Sequence, residues 1–265
     1  MKIEYIEKKS LLYKSKVEFE DYAVNHITNC VHNCKYPCFA RLIAQKSEKE
    51  WTETIKISSN HVEVIKRELR SITGINQVHL CFMSDCFMYQ VPEVSKATLE
   101  ILEVLHDSKV KYKTLTKGEM PSSEIIRIEH TRNPTDLFSE LDSTAYPINE
   151  YGISLVSLSE SYRKKYEPET APFEKRIKAL QSLSEAGLYT YIYCEPFAPL
   201  LTSQRDFRAL LDSVSFVKKI YFGSWQYNDE YQSKPEYKPY IKLIQDFTAR
   251  NNISLMLKKE LKFIG

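Results

Sequence analysis

Apolar positions along the chain switch repeatedly between two periods. Val62, Ile65, Leu69 and Ile72 recur at helical spacing and run into the strand-like QVHLCFM, and Val94, Ala97, Ile101 and Leu105 run into VKYKTL. The segment YGISLVSL precedes a helical stripe of Phe173, Ile177 and Leu180, which gives way to LYTYIYC, the helical DFRALLDSV and then VKKIYF. A last stripe of Tyr237, Tyr240, Ile241, Ile244 and Phe247 comes before ISLML. With YAVNHI as the first, this pattern predicts six or seven strands separated by helices, as in a parallel sheet with right-handed crossovers. The expected fold is α/β, a partial (β/α)6-type TIM barrel with parallel strands. An open doubly wound sheet is the alternative, because periodicity does not report whether a sheet curls. Gly74 and Gly187 each end a helical pattern before an apolar run, where a residue that takes positive φ is wanted.

At 265 residues the chain is long enough for one large domain with its own core. A single domain over 1–265 is expected, with an N-terminal extension at 1–22, a barrel core at 23–223 and a closing segment at 224–265. The hydrophobic fraction of 43% and charged fraction of 27% are those of a soluble globular chain, and no apolar run reaches the roughly 18 residues that span a membrane. MKIEYIEKKS carries no apolar signal core, so a cytoplasmic location without a membrane partner is expected. In that reducing compartment clustered cysteines serve metal binding or redox work rather than disulfides. A formal net charge of +2 gives no strong field for nucleic acid and leaves only a local basic groove to consider. The six glycines form neither a G-x-G-x-x-G nor a Walker loop, which excludes those two devices for binding nucleotides.

In either architecture chemistry sits on the loops after the C-terminal ends of strands. NHITNCVHNCKYPCFAR, residues 25–41, follows the first predicted strand and places Cys30, Cys34 and Cys38 four residues apart. Ser84 and Asp85 follow the second strand, Lys117 the third, Ser154 and Ser157 lie in or after the fourth, and Glu195 follows the fifth, so all would face one mouth. Structural zinc would need His26 or His32 as a further ligand and lacks the usual second ligand pair. Pro37 forbids a regular helix through the third cysteine, which favours a loop wrapped around a cluster. Three soft thiolates suit a four-iron cluster that leaves one iron open to another ligand. Cys81, inside an apolar strand, reads as a small core residue on the face away from the mouth, whereas Cys86 and Cys194 at strand ends are candidate hydrogen donors. A metal-free enzyme using Lys117 as a base or imine former would leave the cysteines without a role. YFGSWQYNDEYQSKPEYKPY reads as core packing with a polar loop, the alternative being a base-stacking surface.

The cysteine segment resembles the cluster loop of the radical S-adenosylmethionine (SAM) enzymes, in particular their spore photoproduct lyase-like branch. Asn25, His32 between the first two cysteines, Tyr36 and the tail of Phe39, Ala40 and Arg41 all match. FMSDCFMYQ, YKTLTKG, ISLVS and YEPETAPFEKRIKALQSLSEAGLYTYIYCEPFAP resemble the segments that follow in that branch, so the resemblance covers residues 18 to 200 or so. Two features depart from it: the spacing is C-x3-C-x3-C, with Pro37 added, where the family has C-x3-C-x2-C, and the Gly-Gly-Glu motif of many members is absent. The resemblance implies that Cys30, Cys34 and Cys38 ligate a 4Fe–4S cluster whose fourth iron binds SAM. It implies reductive cleavage of SAM to a 5′-deoxyadenosyl radical that takes hydrogen from a substrate. It places Tyr36, Ser84, Asp85, Lys117, Ser154, Arg176 and Glu195 around SAM, against a plain reading of Arg176 as part of a solvated helix face. A cytosolic electron donor such as flavodoxin or ferredoxin is implied as partner, with nucleic acid or a peptide as the substrate classes to test. Phe82 stands where the branch has its hydrogen-donor cysteine, so photoproduct repair is not implied. The alternative is a non-catalytic metal-binding or interaction protein on a degenerate barrel, holding zinc.

Overall fold

The computed structural model of the protein describes residues 1–131, 147–225 and 235–262. Among the described residues the eleven strands are β1 (Lys2–Ile6), β2 (Leu12–Lys14), β3 (Tyr22–Val24), β4 (Ile27–Thr28), β5 (Thr54–Ser58), β6 (Val78–Leu80), β7 (Tyr112–Thr116), β8 (Glu150–Ser154), β9 (Tyr189–Phe197), β10 (Lys219–Ser224) and β11 (Ser254–Leu257). Eight of them form one sheet in the order β11-β10-β9-β8-β7-β6-β3-β2, and β1-β5-β4 form a small second sheet. From β3 to β11 every neighbouring pair in the large sheet is parallel. These seven strands are the seven expected from the pattern, and helices such as His61–Ser71, Pro92–Asp107 and Phe173–Glu185 make the crossovers.

The helices form where the apolar stripe falls on one face. Pro92–Asp107 buries Val94, Ala97, Thr98, Ile101, Leu102 and Leu105, and Pro92 at its first turn forfeits only a donor that has no helical acceptor. Gly74 and Gly187 take φ of 75° and 83°, the left-handed backbone expected after their helices. Strand β8 is buried at all five positions, as a strand covered on both faces must be.

The sheet curls into a partial barrel, and side chains meeting inside it are the evidence. In a flat sheet β6 and β10 would lie four strand spacings, about 19 Å, apart. Instead Lys113 on β7 pairs with Glu20 just before β3, Glu20 lies 3.2 Å from His79 on β6, and Lys113 donates to the Tyr221 hydroxyl on β10 at 3.4 Å. The open side is bridged by side chains: Phe19 lies 5.6 Å from Tyr221 between ring centroids, and Glu18 accepts from the Lys259 backbone at 3.3 Å. The sheet therefore has one antiparallel addition, β2 against β3, beyond the expected parallel set. Of the aromatic-rich stretch, Tyr221, Phe222, Trp225, Tyr237 and Tyr240 are buried, in line with core packing, while 226–234 lie outside the described residues.

Candidate active site

At the C-terminal ends of the strands lies a cavity of about 660 Å³, lined by all three clustered cysteines and by residues from the first, second, third, fourth and fifth parallel strand ends. The loop that carries the cysteines turns at two asparagines. Asn29 and Asn33, with φ of 71° and 50°, precede Cys30 and Cys34 directly, and asparagine tolerates this left-handed backbone better than most residues. Asn29 is also an anchor, donating from Nδ2 to the Glu50 and Thr54 carbonyls at 3.1 and 2.7 Å and accepting from Lys46 at 2.6 Å. Cys38 sits in extended backbone as the cap of the short helix Phe39–Ala44, so Pro37 falls before the helix rather than in it.

Beneath the cysteines a carboxylate not singled out from the sequence organises the site. Glu167 is fully buried, accepts from the Tyr36 hydroxyl at 2.8 Å and from Arg176 at 2.8 Å, and lies 3.6 Å from the Lys117 ammonium. Arg176 and Lys117 hold its carboxyl below the usual range against the upward push of burial. The guanidinium of Arg176 is spent on protein: it also donates to the Ala171 and Ser154 carbonyls and to the Thr170 hydroxyl. Arg176 is fully buried and absent from the cavity wall. This corrects the reading of Arg176 as part of a solvated helix face and sets it behind the cavity wall, where it fixes Glu167 and the end of β8.

The other expected residues line the cavity. Lys117 donates to the Ser154 hydroxyl at 2.5 Å, lies 5.6 Å from the Tyr36 ring centroid, and so presents its ammonium between β7 and β8. Asp85 accepts from the Thr116 hydroxyl, the Phe87 backbone and the Lys117 backbone at 2.5, 2.9 and 2.8 Å. It also faces His32 Nδ1 at 3.4 Å, while His32 Nε2 accepts from the Tyr89 backbone at 3.0 Å, which puts the ring proton on Nδ1. Ser84 donates to the Asn29 carbonyl and thereby ties the second strand end to the cysteine loop. Ser157 is buried and spends its hydroxyl on the Ser159 backbone.

Cys86 and Cys194 are fully buried and do not line the cavity; the Cys86 thiol points at the Leu115 carbonyl at 3.5 Å. Their strand-end positions therefore do not bring them to the mouth. Cys81 does line it, contrary to the face expected from strand alternation, because its φ of 61° breaks the alternation one residue past β6. Its thiol faces His26 Nδ1 at 3.6 Å. The Thr98 hydroxyl donates to the Cys86 carbonyl at 2.7 Å and so accepts from His26 Nε2 at 2.9 Å, which leaves Nδ1 as the acceptor for the thiol.

A second wall is built from Glu18 and Glu20, from Tyr193 and Glu195, and from Lys258 and Glu260. Strand β9, which carries Tyr193 and Glu195, is four places along the sheet from β3, which leads into the cysteine loop. Glu195 is half-buried in the cavity wall, and one carboxyl oxygen, Oε2, is buried with no hydrogen-bond partner. Burial pushes its carboxyl up to about 7, against the pull of Lys258. Gly223 makes room for it, since a Cβ there would stand 2.7 Å from the carboxyl.

A family model for the radical SAM superfamily matches residues 24–202. The chain is 25% identical over 195 residues to the uncharacterized protein MJ0683 of Methanocaldococcus jannaschii, a match that covers 73% of this chain and 67% of that protein. Among solved structures, it is similar to spore photoproduct lyase complexed with dinucleoside spore photoproduct, at 12% identity and a TM-score of 0.66, covering 96% of this chain and 81% of that one. It is also similar to SuiB of Streptococcus suis bound to S-adenosylmethionine, at 14% identity and a TM-score of 0.51, covering 74% of this chain and 43% of that one.

Proposed function

The chain belongs to the radical SAM superfamily, whose cofactors are a 4Fe–4S cluster and SAM, and we propose that it is an enzyme that cleaves SAM reductively and takes hydrogen from a substrate held in the 660 Å³ cavity. The observation that carries this reading is that Cys30, Cys34 and Cys38 share one cavity wall with Tyr36, Ser84, Asp85, Lys117 and Ser154. The donor set fits a cluster. Cys30 senses both other thiols, whereas the fourth thiol on the wall, Cys81, is engaged by His26. Among the described residues no three His, Cys, Asp or Glu side chains converge on one ion, as zinc would require, but thiols that each serve a different iron need not converge.

Cys30, Cys34 and Cys38 would hold the cluster, which when bound supplies the electron for cleavage of the SAM sulfonium. Lys117, already oriented by Ser154 and Glu167, offers an ammonium to the carboxylate of the methionyl portion, and Ser154, whose hydroxyl donates to the Glu195 carbonyl at 3.2 Å, keeps a lone pair for an amine or ribose hydroxyl. Tyr36 presents an aromatic ring fixed by its hydroxyl bond to Glu167. An external reductant, of the flavodoxin or ferredoxin kind, completes the requirement, and nucleic acid or a peptide are the macromolecular substrates to test. No helix among the described residues is long and apolar enough to cross a membrane; we place the enzyme in the cytoplasm because its thiols need a reducing compartment.

The test is anaerobic reconstitution with iron and sulfide, then reduction with SAM and chromatography for 5′-deoxyadenosine, beside a Cys30→Ala, Cys34→Ala, Cys38→Ala variant. Product from the wild type alone is expected. Zinc uptake, or a cluster that leaves SAM intact, would overturn the reading.

A further inference from the structure

The second wall of the cavity holds two polar groups whose electrostatic needs the protein does not meet. Lys258 is 5% exposed, and its ammonium lies 5.5 Å from the centroids of both the Phe19 and Tyr193 rings. Its backbone N–H is satisfied by the Phe222 carbonyl at 3.0 Å, which fixes the stem. Among the described residues no carboxylate stands within ion-pair distance of its Nζ and no acceptor takes a hydrogen bond from it. Aromatic faces attract a cation but do not replace the hydration it loses, so a buried ammonium without an anion is a group prepared for one. Lys113, the other deeply buried lysine, shows the ordinary solution, since Glu20 is its direct partner.

Glu195 lies on the same wall. It is near enough to Lys258 for their charges to interact, yet the two do not pair, and its buried Oε2 is unpartnered. Gly223 packs against both groups, since a Cβ there would stand 2.7 Å from Glu195 Oε2 and 3.0 Å from Lys258 Cγ. Between the two groups and the Phe82 and Tyr193 rings the cavity is continuous with the space under the cysteines. The cysteine side has its own cation for a carboxylate, Lys117, so Lys258 is not required there.

We propose that Lys258 and Glu195 form the substrate-recognition wall, and that the substrate carries an anionic oxygen group for the Lys258 ammonium next to an N–H or O–H donor for Glu195 Oε2. This rests on the reading of the cavity as a radical SAM active site. Carboxylate and phosphate share the required chemistry, because a lysine recognises either as a point charge. Glu195 was expected from the family resemblance to lie around SAM; its place beside Lys258 assigns it to the substrate.

The test uses the full chain, both as purified and after reconstitution, titrated with inorganic phosphate, acetate and glycine and followed by line broadening of the ligand resonances. Binding of phosphate, acetate or both is expected, weakened at least about fivefold in Lys258→Met, retained in Lys258→Arg, and unchanged in Lys242→Met, an exposed lysine that does not line the cavity. Phosphate alone would assign a phosphate group, acetate alone a carboxylate, and both the shared anion site. Glycine, which adds an ammonium donor, should bind more tightly than acetate, and Glu195→Gln should erase that difference. The proposal is overturned if neither anion binds, if Lys242→Met costs as much as Lys258→Met, or if Lys258→Met weakens SAM binding to the reconstituted enzyme by the same factor. The triple cysteine variant should keep anion binding, so loss of SAM cleavage and loss of this site are separate results.

Discussion

The two walls of the cavity solve the same problem in opposite ways. On the cysteine side Glu167 is bonded to Tyr36 and Arg176 and faces Lys117, and Arg176 uses its remaining donors on backbone carbonyls and Thr170. On the other side Lys258 has only aromatic faces, and Glu195 keeps an unpartnered oxygen. A fully satisfied polar lattice is rigid and can hold a wall in place before anything binds, whereas unmet groups carry a cost that a ligand removes. The comparison separates scaffold from recognition surface within one cavity, by the state of the hydrogen bonds alone.

Substitutions on each side should therefore differ in size and in sign. The largest loss is expected from Glu167→Ala, which strands the Arg176 guanidinium and removes the anion facing Lys117; about 5 kcal/mol should be lost in urea denaturation, the upper end for breaking a buried pair. Lys113→Met should cost about 3 kcal/mol, because Glu20 loses its ammonium but keeps His79. A cost below 1 kcal/mol in either would mean that water already serves the lattice.

Next in size is a pH effect on the recognition wall. With the Glu195 carboxyl lifted to about 7, the folded chain keeps a proton there that the unfolded chain releases above its ordinary value of 4.5. That stabilisation is complete below the unfolded value and is lost as pH climbs through the folded one. Wild type should lose more stability than Glu195→Gln on going from roughly pH 5 to roughly pH 7.5, by at most about 3 kcal/mol. Equal slopes would show that the carboxyl is solvated. The smallest effect, and the only one of opposite sign, is expected from Lys258→Met: removing an unpaired buried cation while keeping its apolar stem should leave stability unchanged or raise it by about 1 kcal/mol. A loss comparable to that of Lys113→Met would erase the contrast between the walls.

The parts of this architecture that were legible in the sequence are those set by period and by strong residue preferences. Seven parallel strands, six of them with buried positions, alternate with helices and announce themselves as apolar runs between stripes, and three cysteines beside strand ends announce a site. The small sheet of β1, β5 and β4 was not read, because its strands are two to five residues long and bury only part of each. Glu167 lay in a segment read only for its resemblance to the family, although two cations assigned to one site, Lys117 and Arg176, call for an anion between them. Cys81 was placed on the wrong face because alternation holds only while the backbone stays extended, and its positive φ is set by tertiary packing. Lys258 carries no motif; only burial without a partner distinguishes it from the other lysines.

The bridge between Glu18 and Lys259 spans 241 positions of sequence. On the ribosome, the cysteine loop is finished about 220 residues before Lys258 is made, an interval of about 10 to 40 s at ordinary rates of synthesis. The thiols thus emerge with one side of their cavity still missing. Synthesis of the later residues then brings in Lys258 and the bridge to Glu18, so the wall proposed for the substrate is the later of the two to be completed.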